Sequence, residues 1–356
     1  MTINSRKSPS FDNHEQVVFI NDGPSGLNAI IAIHNTTLGP AVGGCRMFPY
    51  VNQAQALEDV LRLSRGMTYK SALAGLPMGG GKAVIIGNPS TDKTPELFAK
   101  MGEFIDSLNG RYISAEDSGI SVDDLKIVAS NTSHVLGINE EQEFGGDPSP
   151  LTAYGIYHGI KASISHRFGS DELEGIHVGV QGVGAVGQAL SKLLIGDGAR
   201  VSACDINAQN LQRAEDLGAR IVDVNTIVKQ EVDVFSPCAM GAAINDSSID
   251  ELKAPIVAGG ANNQLAKAEH GEELRRRGIL YAPDFVINAG GIIEIFRQFE
   301  NAPTVECRRK IAAIYSTLTE IFWRSDAEKY ATNVVAERLA EQRFMFQHKT
   351  IVSGAA

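Results

Sequence analysis

The sequence predicts an α/β protein of two domains, the second built on a doubly wound parallel sheet. Three observations carry that expectation. Short apolar, strand-like runs alternate with amphipathic helical segments along the chain. Gly182-Val183-Gly184-Ala185-Val186-Gly187 falls between a strand and a helix, and Asp205 closes the next strand. A polar stretch rich in Gly and Pro, residues 140–150, divides a chain of 356 residues, which is long enough for two domains. The division places a first domain over residues 1–150 and a second over 151–331.

Residues 1–10 read as disordered. Gln16 to Ile20 is a short strand, Gly23-Pro24-Ser25-Gly26 a turn, and Leu27 to His34 a second strand. AVGGCR, residues 41–46, reads as a strand with a Gly-Gly bulge. The helix after it carries Leu57, Val60, Leu61, Leu63 and Met67 at helical spacing, with Lys70 near its end. Gly79-Gly80-Gly81 precede Lys82 and the buried strand Ala83 to Ile86. A helix over Pro95 to Leu108, a strand over Arg111 to Ala115 and a helix over Ser121 to Ser130 follow. Glu116-Asp117-Ser118-Gly119 lies at a strand end, where functional loops often sit.

Beyond the hinge come a helix from Leu151 to His166, the strand His177 to Gln181, the glycine turn, a helix to Leu194 and the strand Val201 to Cys204. Three further strands, Val232 to Phe235, Ile256 to Ala258 and Leu280 to Ala282, end in small or polar residues. Those ends are Ser236-Pro237-Cys238-Ala239, Gly259-Gly260-Ala261-Asn262-Asn263 and Pro283-Asp284. Cys307 to Phe322 reads as one helix with an apolar stripe, and Asn333 to Phe346 as the last.

Composition excludes several function classes. The net charge is −10 with no basic block, which argues against nucleic acid or an anionic membrane as the main partner. No apolar run approaches the length of a membrane span, and the N-terminus lacks the apolar core of a signal peptide. The expected location is the cytoplasm. The four cysteines are scattered and the eight histidines show no ligand spacing, so neither a disulfide framework nor a metal site is expected.

The stretch GMTYKSALAGLPMGGGKAVII, residues 66–86, is the expected seat of chemistry. Three glycines allow close approach to the backbone, so Lys82 enters a crowded, partly dry place. Burial and a neighbouring cation would lower its pKa and make it a usable base. Two solvated surface lysines and a glycine turn would give the same letters. A nucleotide P-loop would not: it needs Gly at position 76 and Ser or Thr at 83, where the chain has Leu76 and Ala83.

The second motif has the context that the dinucleotide fingerprint requires, with an acidic residue about twenty positions on. Gly182 would make the tight turn, Gly184 would admit the pyrophosphate, and Gly187 would let helix and strand pack closely. The helix N-terminus would face the phosphates. Val186, Cys238, Ala239, Asn262 and Asn263 complete the candidate cofactor site. Asn262 and Asn263 read equally well as turn formers. Asp205 would accept the ribose hydroxyls and repel a 2′-phosphate, which points to NAD over NADP.

Together the motifs IAIHNTTLGPAVGGCR, LRLSRGMTYKSALAGLPMGGGKAVI, GRYISAEDSGI, DPSPLTAYG, VQGVGAVG, PCAMGA, AGGANNQL and LYAPDFVINAGG resemble the amino-acid dehydrogenases of the glutamate/leucine/phenylalanine/valine superfamily, and most of all its branched-chain members. The resemblance runs from about Gln16 to Arg343. It implies a substrate domain and a Rossmann NAD-binding domain around a cleft, with the C-terminal helix, about 332–356, packing back on the first. The implied reaction is reversible oxidative deamination of an L-amino acid to a 2-oxo acid and ammonia. By the same resemblance Lys70 would bind the substrate carboxylate, helped by backbone amides at Gly43 and Gly44 and by Asn262. Lys82 would activate water, and Asp117 would relay protons. The side-chain pocket would be Val42, Ala115, Ile292 and Ile295, all aliphatic, as a branched-chain substrate requires. Those four residues would also pass as ordinary core. Phenylalanine or tryptophan is the competing substrate class, and a silent NAD- or amino-acid-binding relative the competing function. The partners implied are small molecules and further copies of the chain. The tail after Arg343 is shorter than the basic tails of octameric relatives, which leaves dimer and tetramer open.

Overall fold

A computed structural model describes residues 4–138, 147–239, 241–300 and 302–353, with side chains through Met345 in the last helix. The chain divides into two units, Met1–Gly146 with Ala340–Ala356, and Asp147–Leu339. The stretch expected as a hinge, 140–150, lies largely outside the described residues.

The first unit runs β1 (Gln16–Asp22), β2 (Leu27–Asn35), β3 (Ala41–Phe48), α1 (Gln53–Leu73), β4 (Gly79–Ile86), α2 (Pro95–Asp106), β5 (Tyr112–Glu116) and α3 (Val122–Ala129). Its strands form one five-stranded sheet in the order β1-β2-β4-β3-β5. β2 is antiparallel to β1 and β4, whereas β3 runs parallel to β4 and β5. The central strands are apolar on both faces because helices cover both. On one face Ala41, Cys45, Met47, Ala83, Ile85 and Tyr112 pack with Phe98, Met101 and Ile105 of α2 and with Leu125 and Val128 of α3. On the other, Ile30, Ala32 and Val84 meet Ala56, Leu57, Val60 and Leu61 of α1. Local signals start each helix. Asn52 caps α1, Thr94 caps α2 ahead of Pro95, and Ser121 and Asp124 form a capping box on α3.

Three local expectations are corrected here. The segment before β1 is structured from Asn4 onward. Asn4 caps a 3₁₀ turn over Ser5–Lys7, and Phe11 packs against the α1 cluster, which offsets the entropy of ordering a polar tail. β3 contains no Gly-Gly bulge. Gly43 and Gly44 stay paired with Ser114 and Ala115, and the ladder to β4 has the same offset at Val42–Gly80 as at Cys45–Ala83. The irregularity sits in β2 instead, between Ile33 and Asn35. Finally, Gly79, Gly80 and Gly81 belong to β4 rather than preceding it. A Cβ at Gly80 would overlap the backbone of Thr68 in α1, and one at Gly81 would press on the Tyr112 ring, 2.7 Å away. These glycines let helix and ring lie directly on the sheet.

The second unit begins with α4 (Ser149–Phe168), followed by β6 (His177–Gln181), α5 (Ala185–Gly196), β7 (Arg200–Cys204), α6 (Ala208–Asp216), β8 (Arg220–Ile221), β9 (Val234–Pro237), α7 (Ser248–Glu251), β10 (Ile256–Val257), α8 (Glu269–Arg276), β11 (Leu280–Tyr281), α9 (Asp284–Ile287) and α10 (Gly290–Glu300). Three more helices follow: α11 (Thr304–Ala312), α12 (Ile314–Glu328) and α13 (Thr332–Ser353), the last belonging to this unit through Leu339 and to the first from Ala340 on. The sheet has the order β11-β10-β9-β6-β7-β8, and its pairs are parallel. Read from its first strand this is 3-2-1-4-5-6, the order of a dinucleotide-binding sheet. The helix expected over Cys307 to Phe322 is two helices broken at Ala313. The break lets Ile311 and Ile314 both pack where α4 has Gly155. Among the described residues no helix is long and apolar enough to cross a membrane.

Two glycines of the lysine-bearing stretch should respond oppositely to alanine. Gly80→Ala forces a side chain into the α1 backbone and should cost about 3 kcal/mol or more. Gly66, in α1, faces open space, so Gly66→Ala should be neutral or stabilising by up to about 1 kcal/mol. Urea unfolding midpoints of the two variants check the contrast.

Candidate active site

Sheet register decides where Lys82 points. It lies opposite Ala32 on β2, a member of the α1-side cluster, and Arg46 lies opposite Val84, another member. Both cationic side chains therefore leave the sheet on the α1 face. The Lys82 ammonium is 2.6 Å from Oδ2 of Asp117, and the two side chains are 8% and 18% exposed. The group in direct contact with Lys82 is thus a carboxylate.

Asp117 follows the end of β5. The turn that holds it is tied by Met47 N to Ser118 O at 3.0 Å and Ile120 N to Asp117 O at 3.0 Å. Gly119 occupies a left-handed conformation, φ +81°, inside that turn. Gly44 is the second requirement: a Cβ there would lie 2.6 Å from Asp117 Cβ and displace it. Burial pushes the Asp117 carboxyl up, but Lys82 and Arg46 outweigh it and hold the group well below its ordinary 3.8. Cys45, in the same motif, faces the opposite core. Burial drives its thiol up to about 12, which removes it as a nucleophile.

Lys70 sits in the last turn of α1, one turn beyond Met67, whose side chain lies against Gly43. Val42 and Ala115 are buried on β3 and β5, beside the glycine pair. Sequence reasoning assigned no role to Arg46, Asp59 or Tyr50. Arg46 Nε donates to Asp117 Oδ2 at 3.1 Å and its NH1 to Asp59 Oδ2 at 3.0 Å, while the Tyr50 hydroxyl donates to the same Asp59 oxygen at 2.7 Å. One signal was available: an arginine two residues beyond a buried glycine, in a strand otherwise apolar.

The second unit carries the glycine turn. Gly182 has φ +91°, and a Cβ on it would strike Ala239, 2.7 Å away at the end of β9. A Cβ at Gly187 would overlap the Gly182 carbonyl. One at Gly184 would meet no described atom within 4 Å, and Gly184 caps α5 without any side-chain cap. Open space in front of uncapped helix N–H groups fits a pyrophosphate. Val186, on the first turn of α5, lies beside Gly260. Asp205 accepts from Val183 N and Asn207 N, each at 2.8 Å and each on a different oxygen, which leaves lone pairs for ribose hydroxyls. Cys238 N donates to Gln181 O at 2.7 Å, so β9 ends beside the glycine turn. These residues fit a dinucleotide.

Residues 14–134 match the family model of the Glu/Leu/Phe/Val dehydrogenase dimerisation domain, and residues 205–302 that of the Glutamate/Leucine/Phenylalanine/Valine dehydrogenase. Leucine dehydrogenase of Bacillus subtilis (strain 168) is 49% identical over 332 residues, covering 93% of this chain and 91% of that one. The chain belongs to the Glu/Leu/Phe/Val dehydrogenase family. It is an amino-acid dehydrogenase, and its second unit is the nicotinamide-dinucleotide-binding domain. Phenylalanine dehydrogenase of Bacillus thermotolerans is 45% identical, with 94% and 90% of the two chains covered. The crystal structure of L-tryptophan dehydrogenase from Nostoc punctiforme superposes with a TM-score of 0.84 at 41% identity, covering 95% of this chain and 97% of that one.

The remaining candidates of this dehydrogenase lie in its second unit. Asn262 and Asn263 are exposed after β10. The Asn288 amide donates to Asn262 Oδ1 at 2.7 Å, which fixes that side chain, whereas Asn263 has φ +52° and serves the turn. Ile292 is buried and Ile295 half-buried, three residues apart on α10 and so on one face.

Removing the Asp117 charge leaves two cations without their shared counter-ion. Asp117→Asn should therefore destabilise the protein by roughly 3–5 kcal/mol at neutral pH. Because the folded pKa is depressed, the contribution is complete well above 3.8 and shrinks as pH falls below that value. Urea titrations at pH 7 and below pH 4 should show the gap between wild type and variant narrowing in acid.

Proposed function

We propose that the protein catalyses the reversible, NAD-dependent oxidative deamination of branched-chain L-amino acids, with leucine the preferred substrate. The products are the 2-oxo acid, ammonium, NADH and a proton. The observation that carries this reading is the buried Lys82–Asp117 pair, in a chain about half identical to leucine dehydrogenases. An α-amino acid offers a carboxylate, a nitrogen that must gain and lose protons, and a carbon that must meet water. Lys70 pairs with the carboxylate, with the Gly43–Gly44 backbone and Asn262 adding hydrogen bonds. Asp117 exchanges protons with the substrate nitrogen. Lys82, in its amine form, takes the proton of the attacking water, and as an ammonium it polarises the carbonyl in the reverse direction. The bound nicotinamide supplies the hydride acceptor. Glycine turn and Asp205 hold the dinucleotide, with Val186, Cys238, Ala239 and Asn263 around it. The Asp205 charge disfavours a 2′-phosphate, hence NAD over NADP.

Val42, Ala115, Ile292 and Ile295 give the substrate side chain aliphatic contacts with no polar partner. A buried glutamate carboxylate or indole N–H would go unpaired there, at roughly 1–3 kcal/mol or more. One methylene is worth only about 1–3 kcal/mol, so leucine, isoleucine and valine should all react. Phenylalanine would be rejected by volume alone. A homo-oligomer in the cytoplasm is the expected setting. Support for assembly is the match of residues 14–134 to a dimerisation domain.

Two measurements test this reading. Lys82→Ala should lower turnover by about two orders of magnitude or more while the variant stays folded; near-normal turnover would remove Lys82 from the mechanism. In a panel of leucine, valine, isoleucine, phenylalanine, tryptophan and glutamate with NAD, kcat/KM should be highest for leucine. A win for an aromatic substrate refutes the pocket assignment.

The cofactor assignment has its own check. Asp205→Ala should weaken NAD binding and narrow its advantage over NADP in fluorescence titrations. A wild-type preference for NADP refutes the role given to Asp205.

A further inference from the structure

We propose that Arg46 and Asp59 form a positioning relay that keeps the Asp117 carboxylate ionised while Lys82 exchanges its proton. The inference rests on the roles proposed above for Lys82 and Asp117. A lysine that alternates between ammonium and amine cannot serve as a constant counter-charge. When it is neutral, burial favours the protonated form of the neighbouring carboxyl, and the two groups then compete for one proton. Arg46 removes that competition. Its guanidinium stays protonated throughout, and its Nε reaches the same oxygen, Oδ2, that Lys82 contacts. Both cationic contacts fall on Oδ2. Oδ1 has a long 3.5 Å contact with the Ser118 hydroxyl, which leaves Oδ1 as the oxygen for proton exchange with the substrate.

Arg46 is itself held. Asp59, on α1, accepts from its NH1 at 3.0 Å, and the same oxygen accepts the Tyr50 hydroxyl at 2.7 Å. The other Asp59 oxygen meets Arg62 at 3.3 Å. The chain Tyr50–Asp59–Arg46–Asp117–Lys82 thus joins α1 to three strands, with Arg46 and Asp59 side chains only 22% and 15% exposed. Other titratable groups on this face are Tyr50, Glu58 and Arg62, which line one pocket with Arg46 and Asp59, while the Cys45 thiol lies on the opposite face of the sheet.

The test is a pH profile of kcat/KM for leucine with saturating NAD, measured on full-length Arg46→Gln, Arg46→Lys and Asp59→Asn. Loss of the fixed cation raises the Asp117 pKa, so ionised carboxylate is lost sooner as pH falls. Arg46→Gln should lower kcat about tenfold or more and move the acid limb to higher pH by about one unit or more. Arg46→Lys should recover part of both, and Asp59→Asn should shift the limb in the same direction by less. The KM for NAD should not change. A merely structural role would lower activity at all pH values without moving the limb, and that result overturns the proposal. If Arg46→Gln does not fold, Asp59→Asn decides, and an unmoved limb in it overturns the relay. Asp117→Asn separates the two levels. If it stays active, the proposed role of Asp117 fails; if it is inactive though folded by circular dichroism, while the Arg46 and Asp59 limbs stay put, the relay fails and that role stands.

Discussion

A lysine ammonium inside a sheet must have a counter-charge. Desolvating it uncompensated costs several kcal/mol, and much of the first unit is arranged so that this does not happen. Asp117 has to reach Lys82 across the intervening strand β3. That reach requires Gly44, where any side chain would occupy the place of Asp117, and a left-handed Gly119 to close the turn. It also requires β5 to stop at Glu116, so that the next residue is free to bend toward β4. The glycines of β4 bring α1 down onto the same face, and α1 delivers Asp59 to Arg46. A motif that looks like a flexible glycine run is a close-packed layer whose buried charges hold one another in place.

The second unit solves a different electrostatic problem by the same means. In the reading proposed above, an anionic pyrophosphate would be met by backbone N–H groups rather than by side-chain cations, and backbone can be presented only where side chains are absent. Gly182 and Gly187 are consumed by packing, against Ala239 and against each other. Gly184 alone of the three leaves space in front of α5. The Asp205 carboxylate braces the turn through Val183 N, so the group that would read the ribose also holds the loop.

Legibility varied with the source of each signal. β6 could be read to the residue, since an apolar alternation ended in glycine. β8 was invisible: two residues, Arg220 and Ile221, have no period, and neighbouring strands supply their stability. α6, α8 and α10 went unassigned. The first two are strongly polar and bury few residues, so the apolar stripe that marks a helix is thin. α10 opens with Gly290 and Gly291, which read as a breaker, yet Gly290 is where the helix touches the Leu151 carbonyl of α4. The single helix expected over 307–322 failed because one apolar stripe fits a straight helix and a broken one equally well.

By itself the sequence determined the two α/β domains, the lysine pair, Asp117 and the dinucleotide turn. Each of these is local: it depends on residue type and spacing, which are already present in one dimension. Only the tertiary structure decided the partners. Lys82 could have faced a cation, solvent or a carboxylate, and strand register gave it Asp117. Arg46 and Asp59 stand 13 residues apart with nothing in either neighbourhood to couple them, until α1 packs across β3 and their charges meet. An ion pair is a relation between positions in space. The letters fix which groups can carry charge, and the fold sets the distances that decide what those charges do.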